Sequence, residues 1–181
     1  MVYGDPSRVK GSLAPFMKGE NIMGFAPSDM QVKSDAFENT GLIPSQYTGE
    51  GKDVSPQLSW VNPPEGTKAF AVICHDPDAP LVSSNGTYGF VHWVLYNIPG
   101  DITSLDESTD LYTKGVNNFG NKGYNGPMPP NGHGFHTYYF WVIALNNDAE
   151  IKAGLSMWEL LEKIEPNITG MSRLTGRYKR D

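Results

Sequence analysis

Cysteine is almost missing from this chain. The lone Cys74 excludes an intrachain disulfide framework and any cysteine-based zinc cluster. Charge is also sparse, at 19% of residues, and it is lopsided: 14 Lys and Arg against 20 Asp and Glu give a net charge of −6. Such a balance disfavours nonspecific nucleic-acid binding and docking on an anionic membrane surface. No apolar run approaches the 18 or so residues of a membrane span, and residues 1–20 hold no signal-peptide core, so a cytoplasmic protein without stable membrane insertion is expected. Repeats, low-complexity tracts and interdomain linkers are absent as well.

Turn formers and aromatics are plentiful. Twenty glycines and fourteen prolines exceed the roughly 12% of average usage, and they accompany four Trp, nine Tyr and eight Phe. With 181 residues and 39% hydrophobic content, the chain can bury a core of its own. This composition predicts short strands joined by many turns: a mainly β fold, an antiparallel sheet sandwich or barrel-like sheet pair with one or two peripheral helices. Residues 1–29, with scattered Gly and Pro, read as an irregular arm, and 30–181 as a single domain.

Periodicity places the elements. Gln31–Phe37 alternates as a strand, Ser55–Trp60 reads as a short edge segment, and Asn62–Gly66 is a turn. Ala69–His75 (AFAVICH), Tyr88–Ile98 (YGFVHWVLYNI) and Tyr138–Leu145 (YYFWVIAL) are apolar, β-branched or aromatic runs of buried-strand type. Leu174–Tyr178 forms a last strand. One helix is expected at Ser156–Ile164, where Ser156 and Glu159 make a capping box and Met157, Leu160, Leu161 and Ile164 make one stripe before Pro166. Asp101–Phe135 is a Gly-, Asn- and Pro-rich loop far beyond the usual length of about 12–15 residues, and such loops are usually functional or disordered.

The chemistry-bearing residues cluster at strand ends. There are four histidines, at 75, 92, 133 and 136. Asp76 and Asp78 sit on a proline-stiffened turn after the first long strand, His92 lies in the second, and His136 precedes the third. If these strands are neighbours, the groups converge at one end of the sheet. A carboxylate on one imidazole nitrogen fixes its tautomer and frees the other for a phosphate or carboxylate oxygen. Gly126, Gly132 and Gly134 would bring backbone N–H groups to the same anion, and Tyr138 would add a hydroxyl. Each part has a plainer reading: His92 as a satisfied core residue, the Asp-Pro-Asp segment as an Asx-type turn, the loop as a surface excursion. His75 and His133 carry the least weight. A His/His/Asp set would suit zinc or iron, but metalloprotease-type ligand spacing is missing, as is a G-x-S-x-G elbow. Neither a metal nor a cofactor is therefore expected.

Three ordered segments carry a family resemblance. Asp76–Pro80 (DPDAP), His92-Trp93 with Asn97–Pro99, and Tyr124–Tyr138 (YNGPMPPNGHGFHTY) resemble the signature segments of the phosphatidylethanolamine-binding proteins, most closely the bacterial and archaeal Raf-kinase-inhibitor-like branch. Gly51–Trp60 and Thr175–Tyr178 are similar too, so the likeness covers residues 30–180 or so. It implies a central antiparallel sheet packed on a smaller one, with a shallow anion pocket for phosphate-like or phospholipid head groups. Carried over by motif, the pocket residues are Asp76, Asp78, His92, Met128, Pro130, His136 and Tyr138. Asp76 or Asp78 would orient His92, and backbone amides around Met128–Pro130 would donate to the anion. The chain departs from the bacterial pattern at Asn167-Ile168, where many members have His-Ile, and Pro80–Gly89 lacks the basic residues often found in eukaryotic members, which argues against a kinase partner of eukaryotic type.

The leading expectation is a non-enzymatic binding protein for a small phosphorylated or carboxylated ligand, modulating a protein kinase or a serine protease. The alternatives are an inhibitor of such enzymes acting through surface loops, and a small lyase or hydrolase using Asp78 or His92 as base. A homodimer is compatible with all three.

Overall fold

In a computed structural model, residues 28–79 and 89–181 are described. The expected arm at 1–29 therefore lies outside the described residues except for Ser28 and Asp29, and so does most of the Pro80–Gly89 loop. The elements run β1 (Gln31–Lys33), β2 (Gly41–Leu42), β3 (Leu58–Val61), β4 (Ala69–Asp76), β5 (Phe90–Pro99), β6 (Ser104–Leu105), β7 (Thr113–Lys114), β8 (His136–Leu145), α1 (Met157–Ile164) and β9 (Ile168–Tyr178). They form a three-stranded sheet, β1-β3-β6, and a six-stranded sheet, β2-β9-β8-β4-β5-β7. All pairings are antiparallel except β2 with β9, a parallel edge pair that the expected antiparallel sandwich did not include.

The three apolar runs become the middle of the large sheet, with β4 between β8 and β5. Strand β4 is buried on both faces because each face is covered by a different layer. Phe70, Val72, Trp93, Phe140 and Val142 pack with Leu58, Trp60 and Leu105 of the small sheet. On the opposite face, Ala71, Ile73, Val94 and Ile143 pack with Met157, Leu160 and Ile164 of α1. The helix begins where the capping residues place it: Ser156 Oγ accepts from Glu159 N–H, and the Glu159 carboxylate accepts from Ser156 N–H. It is the one α-helix among the described residues, and none of them forms a helix long and apolar enough to cross a membrane.

Three strands differ most from expectation. The segment read as an edge at Ser55–Trp60 forms β3 at Leu58–Val61, which lies between β1 and β6 and pairs with both. The first strand stops at Lys33 instead of Phe37, because the Ser34 hydroxyl donates to Gln57 O and accepts from Ala36 N–H, turning the chain. The last begins at Ile168, six residues before Leu174. The long loop is tied down by short strands β6 and β7.

Candidate functional site

Register explains which groups meet. Strand β4 pairs with β8 up to His75↔Tyr139, so the next residue, Asp76, falls on the side of the sheet that carries Tyr138 and His136. Asp76 Oδ2 then lies 2.8 Å from His136 Nδ1, and both side chains are only 3% exposed. Asp76 Oδ1 accepts from Asp78 N–H (2.9 Å) and Ala79 N–H (3.2 Å). The Asx-turn reading of Asp76 holds, and the same carboxylate also meets His136. Asp78 is exposed and clamps the start of β8 by accepting from Thr137 N–H at 2.7 Å.

His92 is oriented otherwise than expected. Its Nδ1 is 2.8 Å from the backbone oxygen of Asn125, with neither Asp76 nor Asp78 as its hydrogen-bond partner. The physical reason lies in the bulge in the β4–β5 pairing between Cys74 and His75, and in a loop that closes on β5, with Asn125 N–H donating to His92 O. A carbonyl only accepts, so Nδ1 carries the hydrogen and the neutral ring offers Nε2 as a lone pair. The ring sits among Phe90, Phe119 and Tyr138, with centroids at 5.1, 5.7 and 5.2 Å. Burial there pushes its pKa below the ordinary imidazole value.

Tyr138 completes the cluster. Its hydroxyl is fully buried beside the Asp76 carboxylate and makes no hydrogen bond of standard geometry among the described residues. Burial and that neighbouring charge push the phenol far above its ordinary pKa, so it remains a donor. An unpartnered buried hydroxyl of this kind costs stability and calls for a reason.

The rest of the loop is arranged differently from the sequence reading. Gly126 N–H donates to Asp53 Oδ1 (2.6 Å) and Gly132 N–H to Arg180 O, so neither is free to cradle an anion. Of the expected amides at Met128–Pro130, only that of Met128 exists, since prolines have no N–H. The Met128 side chain lies against Gly49, and Pro130 is exposed, with its carbonyl accepting from His133 N–H. Gly126 is required for close packing, because a Cβ there would stand 2.2 Å from Tyr47 O.

Three residues that received little or no weight hold the site. His133 Nδ1 lies 3.2 Å from His136 Nε2, extending the row from Asp76 outward. Asn125 is a hub: its amide donates to Asp53 Oδ2 (2.7 Å) and its side-chain oxygen accepts from Asn117 and Asn121. Asp53 stands in the Gly51–Trp60 segment that the resemblance had marked, with a left-handed φ of 57°. Asp adopts that conformation more readily than most residues, which was the one weak signal in the sequence. The described residues hold no group of three His, Cys, Asp or Glu arranged for a metal.

Two packed sheets, a flanking helix and a buried Asp–His pair beside a histidine and a tyrosine define a class of small β-sandwich proteins with a polar cluster at one sheet end. The family model "Phosphatidylethanolamine-binding protein" matches residues 33–179, and the chain belongs to that family. It is 42% identical over 159 residues to a UPF0098 protein of Aquifex aeolicus, covering 84% of this chain and 90% of that one. A UPF0098 protein of Methanothermobacter thermautotrophicus is 39% identical over 83% of this chain and 99% of its own. Among solved structures, Escherichia coli YBCL, a member of the mammalian PEBP family, aligns with a TM-score of 0.78 at 31% identity, over 85% of this chain and all of that one. A phosphatidylethanolamine-binding protein homologue of Chlamydia trachomatis aligns with a TM-score of 0.77 at 32% identity, over 84% and 98%. These relatives place the chain in the bacterial and archaeal branch and support a binding-protein role.

Proposed function

We propose that the chain is a non-enzymatic binding protein whose Asp76–His136, His92 and Tyr138 cluster takes a small phosphorylated or carboxylated ligand, as a free anion or as a lipid head group. The observation that carries this reading is the Tyr138 hydroxyl, a buried donor with no partner, beside two imidazoles. An anion would accept from it. Neutral His92 presents only a lone pair, so an anion bonds to it once Nε2 takes up a proton. Binding therefore couples to proton uptake and strengthens as pH falls. With few donors and an almost closed cluster, affinity is expected on the order of micromolar to millimolar.

The test is a titration with inorganic phosphate, phosphoethanolamine and a nucleotide, following His92, His136 and Tyr138 by NMR. Saturable shifts at this cluster, lost in His92→Ala, are expected. Flat spectra at millimolar ligand, or affinity independent of pH between 5.5 and 8, would overturn the reading. A protein kinase or a serine protease is the partner class we attach to the site; inhibition of either that survives His92→Ala would move that role to the surface loops.

A further inference from the structure

A second cluster lies on the other face of the same sheet. Strand alternation turns Tyr138 inward and Tyr139 outward, and the β8–β9 register puts Thr137 opposite Arg177, Tyr139 opposite Thr175 and Trp141 opposite Arg173. With Asn39 and Thr40 at the sheet edge, these residues, apart from Trp141, line a cavity of about 380 Å3. That volume is within the range of small-molecule sites, roughly 300–1,000 Å3.

Its lining is rich in uncommitted donors. The Arg173 guanidinium lies over the rings of Tyr139 (5.3 Å) and Trp141 (4.9 Å), and that of Arg177 lies 5.4 Å from the Phe135 ring. Stacking fixes a guanidinium by its flat face and leaves the N–H edges to point elsewhere. Arg177 spends one N–H on Thr40 O, at 2.9 Å. Among the described residues neither arginine reaches a carboxylate, although Arg173 also borders a neighbouring cavity that includes Asp35 and Glu38. Asn39 Oδ1 accepts from both Thr175 N–H and Thr175 Oγ, so the Asn39 amide keeps its NH2 donors. Asp78 touches the margin, bonded to Thr137 N–H, but no acidic side chain lines the cavity. In a chain of net charge −6, two arginines without a carboxylate partner in one concavity are an anion site by chemistry.

We propose that this outward cavity is a second binding site, for a small organic dianion whose two acidic groups are held by Arg173 and Arg177. The two residues stand four apart on β9, about 13 Å along the strand at a 3.3 Å rise, which suits two separated acidic groups better than one. Carboxylate and phosphate share this chemistry. The site is independent of the His92 cluster, which faces the other way.

The experiment titrates the full chain with sodium succinate, glutarate and 3-phosphoglycerate, with acetate and sodium chloride at matched ionic strength as controls. Arginine Nε–H and backbone amide signals are followed by NMR. Saturable shifts at Arg173, Arg177 and Tyr139 are expected, with at least one dianion binding about tenfold tighter than acetate. The succinate and glutarate arms against the phosphoglycerate arm decide which acid is preferred. Arg173→Gln should weaken binding about tenfold, leaving phosphate-induced shifts at His92 and Tyr138 unchanged. Arg177→Gln, on a different aromatic ring, serves as the second variant should Arg173→Gln unfold. Shifts reproduced by sodium chloride, equal affinity for acetate and the dianions, or binding undiminished in the folded variants would overturn the proposal.

Discussion

Tyr138 exposes a trade between stability and binding at the scale of one atom. Its buried hydroxyl lacks a partner, and such groups cost about 1–3 kcal/mol. Tyr138→Phe should therefore raise stability by about 1 kcal/mol in urea unfolding, while phosphate affinity falls in the same preparation. His92 gives a second test. Its pKa is lowered by burial, so the unfolded chain binds a proton near pH 6.5 that the folded chain refuses. This group leaves stability untouched above that pH and erodes it as pH falls from 6.5 towards the lower folded value. Anion affinity should move oppositely, rising over the same window. Urea midpoints and phosphate titrations at pH 5.5, 6.5 and 7.5, with His92→Gln flattening both slopes, check the pair. The residue types at this site were legible in the sequence: Asp76, His92, His136 and Tyr138 do stand together. Which carboxylate or carbonyl held which imidazole was not, because one bulge between Cys74 and His75 resets the partners, and bulges leave no reliable mark in the residues themselves.

Elements show the same division. The helix could be read in advance because its start signal is local: Ser156 and Glu159 satisfy each other's backbone donors within four residues. Ser156→Ala should cost about 1 kcal/mol, read as a lower thermal midpoint with the sheet signature otherwise intact. Strand β9 was underread because Thr169, Gly170 and Ser172 look like turn residues. Their meaning is tertiary. A Cβ at Gly170 would stand 2.6 Å from Pro64 Cγ, and one at Gly176 would stand 2.5 Å from Ile43 Cγ1. Glycine inside a strand here marks close approach by another segment. The two-residue strands β6 and β7 were invisible for the opposite reason: pairs of residues carry no period, and their pairing partners on β3 and β5 define them.

At the scale of the whole molecule, one large sheet separates two layers, and alternation along β8 sends consecutive tyrosines to opposite sides. The composition announced a β protein because glycine, proline and aromatics suit short strands and turns. The order of the strands was beyond it. That order has a kinetic consequence. Strand β4 sits between β5 and β8, and β8 is separated from it by the long loop and both short strands. The sheet's far edge is closed by contacts such as Asn39 with Thr175, 136 residues apart. Folding must therefore close very large loops before the central strand is covered, which places the rate in the millisecond-to-second regime of high contact order. On the ribosome, the apolar β4 and β5 hairpin emerges and waits with one edge open until the last third of the chain is made. During that interval the nascent protein, more than the finished one, is the species in need of a chaperone.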